Sequence, residues 1–228
     1  MTASVVEVQT GTVTASTTGT FNLSTTLVSS DVVVFTTSRT TLATPSYSGL
    51  GGASWTLVFS GAANSRAYSA YASGVTGSGQ SVSVTAGAGD MGACVQVIRG
   101  LNSVTVTEQH SVWSATTTAS NTDEFSPSQS FGTDQVAVLM LSGTTSSSYT
   151  VPSNPTPSSG WVTDLARATN PTLHVAHLIG TSPGGTVIGG ARNTSAVAFG
   201  VTVAVFGTET SGPPPLTSSF VGWGNPIF

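Results

Sequence analysis

Lysine is absent from this chain, and five arginines, nine acids and one cysteine stand among its 228 residues. The cations Arg39, Arg66, Arg99, Arg167 and Arg192 are scattered. A net charge of −4 with no basic cluster argues against a nucleic-acid partner, because phosphate contacts need grouped Lys or Arg. Cys94 alone makes no disulfide within the chain, so stability has to come from packing. It lies in the apolar run 91–98 and reads as a small core residue, not a nucleophile. No window approaches eighteen apolar residues, so neither a transmembrane helix nor membrane insertion is expected. The opening Met-Thr-Ala-Ser-Val-Val-Glu has no basic or apolar signal region, which points to synthesis in a cytoplasm. No segment beyond ten residues holds a 3.6-residue apolar period, which argues against helices.

Scarce charge does not mean disorder, which pairs low hydrophobicity with high net charge. Here 38% of residues are hydrophobic, and Thr, Ser, Val and Gly dominate. β-Branched Thr and Val suit a pleated, half-buried surface, and Gly and Ser supply turns. The composition is that of an all-β protein. Short strands with turn signals between them are expected along the chain, as in a sandwich or barrel. The apolar run 31–37 reads as a strand covered on both faces. Residues 38–53 read as a loop.

One arrangement occurs twice. Asp31-Val-Val-Val-Phe35 is matched by Asp134-Gln-Val-Ala-Val-Leu139. Ser54-Trp55-Thr56-Leu57 is matched by Trp161-Val162-Thr163, and Tyr68 and Tyr71 by His174 and His177. The strand ending in Gly100 is matched by the one ending in Gly207. Pseudo-repeats at about 31–100 and 134–207 follow, joined by 101–133. Each half has too few strands to bury both faces of a sheet. The expected fold is therefore a jelly-roll-like two-sheet β-sandwich over 1–208, built from two pseudo-repeated halves around one core, with two separate domains as the alternative. An extended C-terminal tail over 209–228 completes it.

Motifs that could carry chemistry lack their context. Residues 87–92 fit G-x-G-x-x-G, but a β-type run follows where a dinucleotide site needs a helix. Residues 180–184 fit G-x-S-x-G around Ser182, yet every His precedes it and Pro183 with the glycines beyond forbids the helix of a nucleophile elbow. His174 and His177, three apart on a strand, point to opposite faces, unlike a metal pair. Asp123 and Glu124 read as a solvated loop, not a glycosidase pair. Asp31 and Asp134, each ahead of an apolar strand, read as structural acceptors of turn N–H groups. Trp55 and Trp161 read as packing residues, and Trp113, with no counterpart, as a candidate glycan contact. No catalytic residue, cofactor or metal is expected, and the chain does not read as an enzyme.

The order of aspartate-led apolar strand, Pro-Ser loop, W-T strand, Tyr/His strand, Gly-rich turn and long Val/Ala strand resembles a β-sandwich domain common in tailed phages of actinobacteria. There it belongs to minor tail proteins. The resemblance is carried by 31–35, 54–57, 91–100, 134–141, 160–163 and 197–207, and covers about 25–207. The terminal Phe220-Val-Gly-Trp-Gly-Asn-Pro-Ile-Phe228 is similar to short aromatic tails of such proteins. The resemblance implies a structural virion component, on the tail or decorating the head, with other virion proteins as partners and a homo-oligomeric state. No helical or collagen-like shaft is present, which argues against a stand-alone fibre. Pro213, Pro214 and Pro215 favour an extended linker. Beyond it, Phe220, Val221, Trp223, Pro226, Ile227 and Phe228 read as an anchor for pockets on a neighbouring subunit, with folding back over their own sandwich as the alternative. A glycan-binding module for host cell-wall recognition is the second expectation.

Overall fold

The β-branched runs become strands, because alternating side chains can be buried on a pleated surface while the ladder satisfies the backbone. In this computed structural model the residues described are 2–15, 17–39, 45–60, 67–85, 89–104, 106–114, 122–125, 132, 134–143, 149–150, 161–167, 172–180, 189–193 and 199–208. The first eight strands are β1 (Ser4–Val13), β2 (Thr18–Asn22), β3 (Val32–Arg39), β4 (Ser46–Gly49), β5 (Thr56–Ser60), β6 (Ala67–Ser73), β7 (Ser81–Thr85) and β8 (Met91–Arg99). Then come β9 (Val106–Ser114), β10 (Thr122–Phe125), β11 (Val136–Gly143), β12 (Tyr149–Thr150), β13 (Val162–Arg167), β14 (Thr172–Ile179), β15 (Gly189–Asn193) and β16 (Phe199–Phe206). Among the described residues the only helical element is a short 3-10 turn, Leu50–Gly52. The protein is all-β and β-sandwich-like.

The strands form four antiparallel sheets. Two are five-stranded, in the orders β1-β8-β3-β6-β5 and β13-β14-β11-β16-β9. Two are three-stranded, β2-β7-β4 and β10-β15-β12. Strand β3 explains why two sheets are not enough. All eight of its residues are buried, as its unbroken apolar run predicts. One face of it, with Val33 and Phe35, joins Val95 and Val97 of β8 in a core with Phe21, Val82 and Val84 of the small first sheet. The Phe21 and Phe35 rings meet edge-on at 5.3 Å. The other face, with Val32 and Val34, joins Cys94 and Ile98 in a core with Val136, Val138, Leu173, Val175 and Phe206 of the second large sheet. Each such residue contributes about 1.5–3 kcal/mol by leaving water. The sequence led to one closed core between two sheets; the described residues instead make two cores, one on each face of the first large sheet.

Two further expectations are corrected. Residues 46–49 lie within the expected loop but form β4, held by pairing with β7. Asp123 and Glu124 are on β10, paired with 190 and 191, not in a loop. Tertiary pairing overrides the weak strand preference of both segments. In the joining region 101–133 the alternation of Val104 and Val106 with Thr105 and Thr107 reads as a strand, and β9 begins at Val106 as an outer strand of the second large sheet. Residues 186–188, which read as a short strand in the sequence, lie outside the described residues.

Each long strand β8 and β16 ends in a glycine with a left-handed backbone, Gly100 at φ 81° and Gly207 at φ 90°. A Cβ at Gly100 would stand 2.5 Å from the carbonyl oxygen of Thr2, and one at Gly207 would stand 2.5 Å from that of Asp134. Only glycine lets these chain crossings close up.

Candidate functional site

Three places among the described residues gather polar groups in arrangements that bear on function. The first lies between the two large sheets. Pairing between β13 and β14 slips at Asp164, leaving an extra residue in β13. This bulge carries the Asp164 side chain into the inter-sheet space, where it is 3% exposed. Gln96 of β8 donates its Nε2 to Asp164 Oδ2 at 2.6 Å, and His177 Nδ1 of β14 lies 2.7 Å from the same oxygen. The carboxylate is thus shared by one side chain from the first large sheet and one from the second. Gln96 is fully buried, and its Oε1 has no hydrogen-bond partner among the described residues. Cys94 lies on the same face of β8; burial, reinforced by the charge of Asp164, pushes its thiol pKa up. A thiol held protonated this way is inert, which agrees with its reading as a core residue. Among the described residues no group of three or more His, Cys, Asp or Glu is placed to hold a metal.

The second place is the entry to the apolar strands. Asp31 is buried and takes a two-pronged contact from Arg99, Nε to Oδ1 at 2.8 Å and Nη2 to Oδ2 at 2.6 Å. Asp31 Oδ2 also accepts the Val28 N–H at 2.9 Å, while the Asp31 N–H donates to Val28 O at 2.8 Å. Before β11 the residue whose contacts match those of Asp31 is Gln135, one residue after Asp134. Gln135 Oε1 accepts the Gly132 N–H at 2.9 Å, and the Gln135 N–H donates to Gly132 O at 3.1 Å. The chemistry accounts for the exchange. A carboxylate only accepts, so it needs a cation beside it, whereas an amide also donates. Gln135 Nε2 accordingly donates to Gly207 O at 3.0 Å, and no arginine is required.

The third place is an open groove of about 670 Å³, lined by Gly51, Gly52, Ser54, Thr56, Tyr71 and Gln80 among others. Its wall is the turn Leu50–Gly52. Leu50 itself is left-handed at φ 53°, with its side chain buried in the core beneath. A non-glycine residue held there stores roughly 1–3 kcal/mol of strain. Trp55 backs this end of the sandwich, with its ring 5.7 Å from Tyr47 and 6.3 Å from Phe35.

The other candidates are distributed. His174 and His177 are both buried although they point to opposite faces, because β14 is covered on both sides. Burial pushes the imidazole pKa of His174 down. Trp55 and Trp161 are half-buried, each directly ahead of an outer strand, β5 or β13. Trp113 sits on β9 opposite Gly200, with its side chain outside the described part. Ser182 and the anchor residues Phe220, Val221, Trp223, Pro226, Ile227 and Phe228 also lie outside the described residues. Sequence reasoning missed Gln96, Asp164 and Gln135. The one available signal was a polar residue interrupting an apolar strand, as Gln96 does between Val95 and Val97. Compared with known families, curated proteins and solved structures, the chain matches none.

Proposed function

We propose that the chain is a structural component of a bacteriophage virion, a minor tail protein built as two jelly-roll-like halves and assembling as a homo-oligomer through residues 209–228. The observation that carries this reading is the doubled strand order that underlies the resemblance. Adding eight to every strand number of β1-β8-β3-β6-β5 yields β9-β16-β11-β14-β13, and β2-β7-β4 likewise yields β10-β15-β12. Pairing details repeat as well. Phe35 stands between Val95 and Ala70, and Leu139 between Val203 and Ala176. The slip at Val58 in β5 recurs at Asp164 in β13, and the slip at Val6 in β1 recurs at 107 in β9. The orders β1-β8-β3-β6 and β2-β7-β4 follow seven strands of a jelly roll, with β5 added beyond β6. An anchor beyond the triple proline leaves this rigid body free to project. The test is deletion of residues 209–228: the remainder should fold and stay soluble but no longer join the particle, measured as copies per purified virion. Normal incorporation of the truncated chain would remove the anchor. Absence of the full chain from purified virions would remove the virion reading altogether.

The groove beside Tyr71 favours a second reading, a glycan-binding module. Its hydroxyl, amide and glycine-backbone lining and the strained Leu50 wall suit a polyhydroxylated ligand. A glycan array with the full chain, repeated with Gln80→Ala and Trp113→Ala, separates the readings. Binding lost in Gln80→Ala places the ligand in the groove, and binding lost in Trp113→Ala places it at β9.

A further inference from the structure

The two large sheets meet through a face that is nearly self-complementary. β13 lies against β1 and β8, and β14 lies against β8 and β3. Towards the other side, Tyr71 of β6 meets Phe206 of β16 edge-on, with ring centroids 5.7 Å apart. In the doubled numbering, β14 on β8 is the same contact as β6 on β16. The halves therefore pack as an isologous pair would, around a two-fold relation inside one chain. Such a face carries a hazard. A first half from another copy presents the shape that the chain's own second half presents, and exchange between copies would give dimers or open chains.

The side chains on the two sides of this relation differ in one respect. Gln96, Asp164 and His177 stand where β8 meets β13 and β14. Their counterparts on the other side are Ala204, Val58 and Tyr71. Gln96 is opposite Val34 on β3 and Ala204 is opposite Val138 on β11. Tyr71 is opposite Val34 and His177 is opposite Val138. Val58 and Asp164 are the two bulged residues. The counterparts are packed in or against the inter-sheet core. A first half on a first half would set the buried amide of Gln96 against Val58 and Tyr71. A second half on a second half would set the Asp164 carboxylate and His177 against Ala204. Either pairing strips Gln96 Nε2 or the Asp164 carboxylate of the partner it holds when a first half meets a second half, a cost that the mixed pairing avoids.

We propose that Gln96, Asp164 and His177 form a pairing lock, which makes a first half accept a second half and reject its own kind. The lock sets which halves pair, and the covalent link between them makes the chain's own second half the nearest acceptable partner. This inference rests on the doubled reading of the fold and is independent of the virion reading. The test uses the full chain with Gln96→Ala, Asp164→Val and His177→Tyr together, which gives both sides of the face the same side chains. Copies labelled with donor or acceptor dyes at the N-terminus are unfolded, mixed and refolded. Energy transfer then reports exchanged dimers, and a control mixes copies only after they have refolded separately. The variant should yield about ten-fold more mixed dimer than the wild type on joint refolding, the shift expected from relieving one unsatisfied buried polar group. The control should show no such rise, which separates exchange from association through the C-terminal segment. Wild-type levels of mixed dimer from a variant with a native circular dichroism spectrum would overturn the lock. Should the triple variant fail to fold, Gln96→Ala alone decides the question. It removes the penalty against pairing of two first halves, so an unchanged mixed-dimer fraction would again overturn it.

Discussion

Asp31 and Arg99 illustrate how unequal burial makes one ion pair lopsided. The Asp31 side chain is 1% exposed and that of Arg99 33% exposed. Removing the cation strands a buried anion; removing the anion frees a cation that water can reach. Arg99→Met should therefore cost about 3 kcal/mol and Asp31→Asn only about 1 kcal/mol, a ranking that urea denaturation of both variants checks. The hydrogen bond to Asp31 and its charge hold the Arg99 pKa above its ordinary value, so the guanidinium stays charged as pH rises. Glu7 behaves differently. Burial raises its pKa, but N–H groups of Ser24 and Thr25 and the amide of Gln9 outweigh that and bring it down from 4.5 to about 2. A carboxyl with a lowered folded pKa contributes stability that is complete above about 4.5 and disappears as pH falls towards 2. In Glu7→Gln this part of the acid limb should flatten, as seen by thermal melts at pH 2, 3, 4 and 5.

Strands here are shaped less by their own residues than by what crosses their ends. Gly100 and Gly207 stop β8 and β16 in the same left-handed turn, each under a carbonyl oxygen from another segment. Alanine at either place meets both a disfavoured φ and a backbone atom 2.5 Å away. Gly100→Ala should thus lose at least about 1–3 kcal/mol, more than alanine at Gly74, where the same turn opens onto free space. Differential scanning calorimetry of the two variants gives that comparison directly. The bulges at Val58 and Asp164 teach a related lesson. An inserted residue breaks the alternation of faces, so a strand can send a chosen side chain across to the neighbouring sheet.

The two large sheets share one core, and that ties the halves into a single unfolding unit. Phe206 is fully buried in it and stacks edge-on with Tyr71 of the other half. Phe206→Ala should cost about 3–5 kcal/mol. The loss should appear as one earlier transition, coincident by tryptophan fluorescence and far-ultraviolet circular dichroism. Two separated transitions would mean that the halves fold independently. Because Asp164 bridges the same interface, its removal should weaken both halves together.

Much of the architecture could be read from local pattern. β-Branched runs and period-two alternation mark strands wherever they occur, since the pleat alone sets that period. The apolar stretch ahead of Phe35 announced a strand buried on both faces, and β3 is one. The doubled motifs pointed to equivalent strands in two segments. Local pattern could not say what covers each face, because that depends on partners far away in the chain. Gln96 and Asp164 are 68 positions apart, as are Asp31 and Arg99. Nothing near Asp164 in sequence signals that a bulge turns it inward. The aspartate match ahead of the two apolar strands shows the same limit from the other side. Sequence paired Asp31 with Asp134 by residue type, but the ladder register pairs Asp31 with Gln135. Hydrogen-bond geometry in the folded chain, not residue identity, assigns that role: whichever side chain reaches back to the turn N–H three residues earlier takes it, and whether it needs an arginine follows from whether it can also donate.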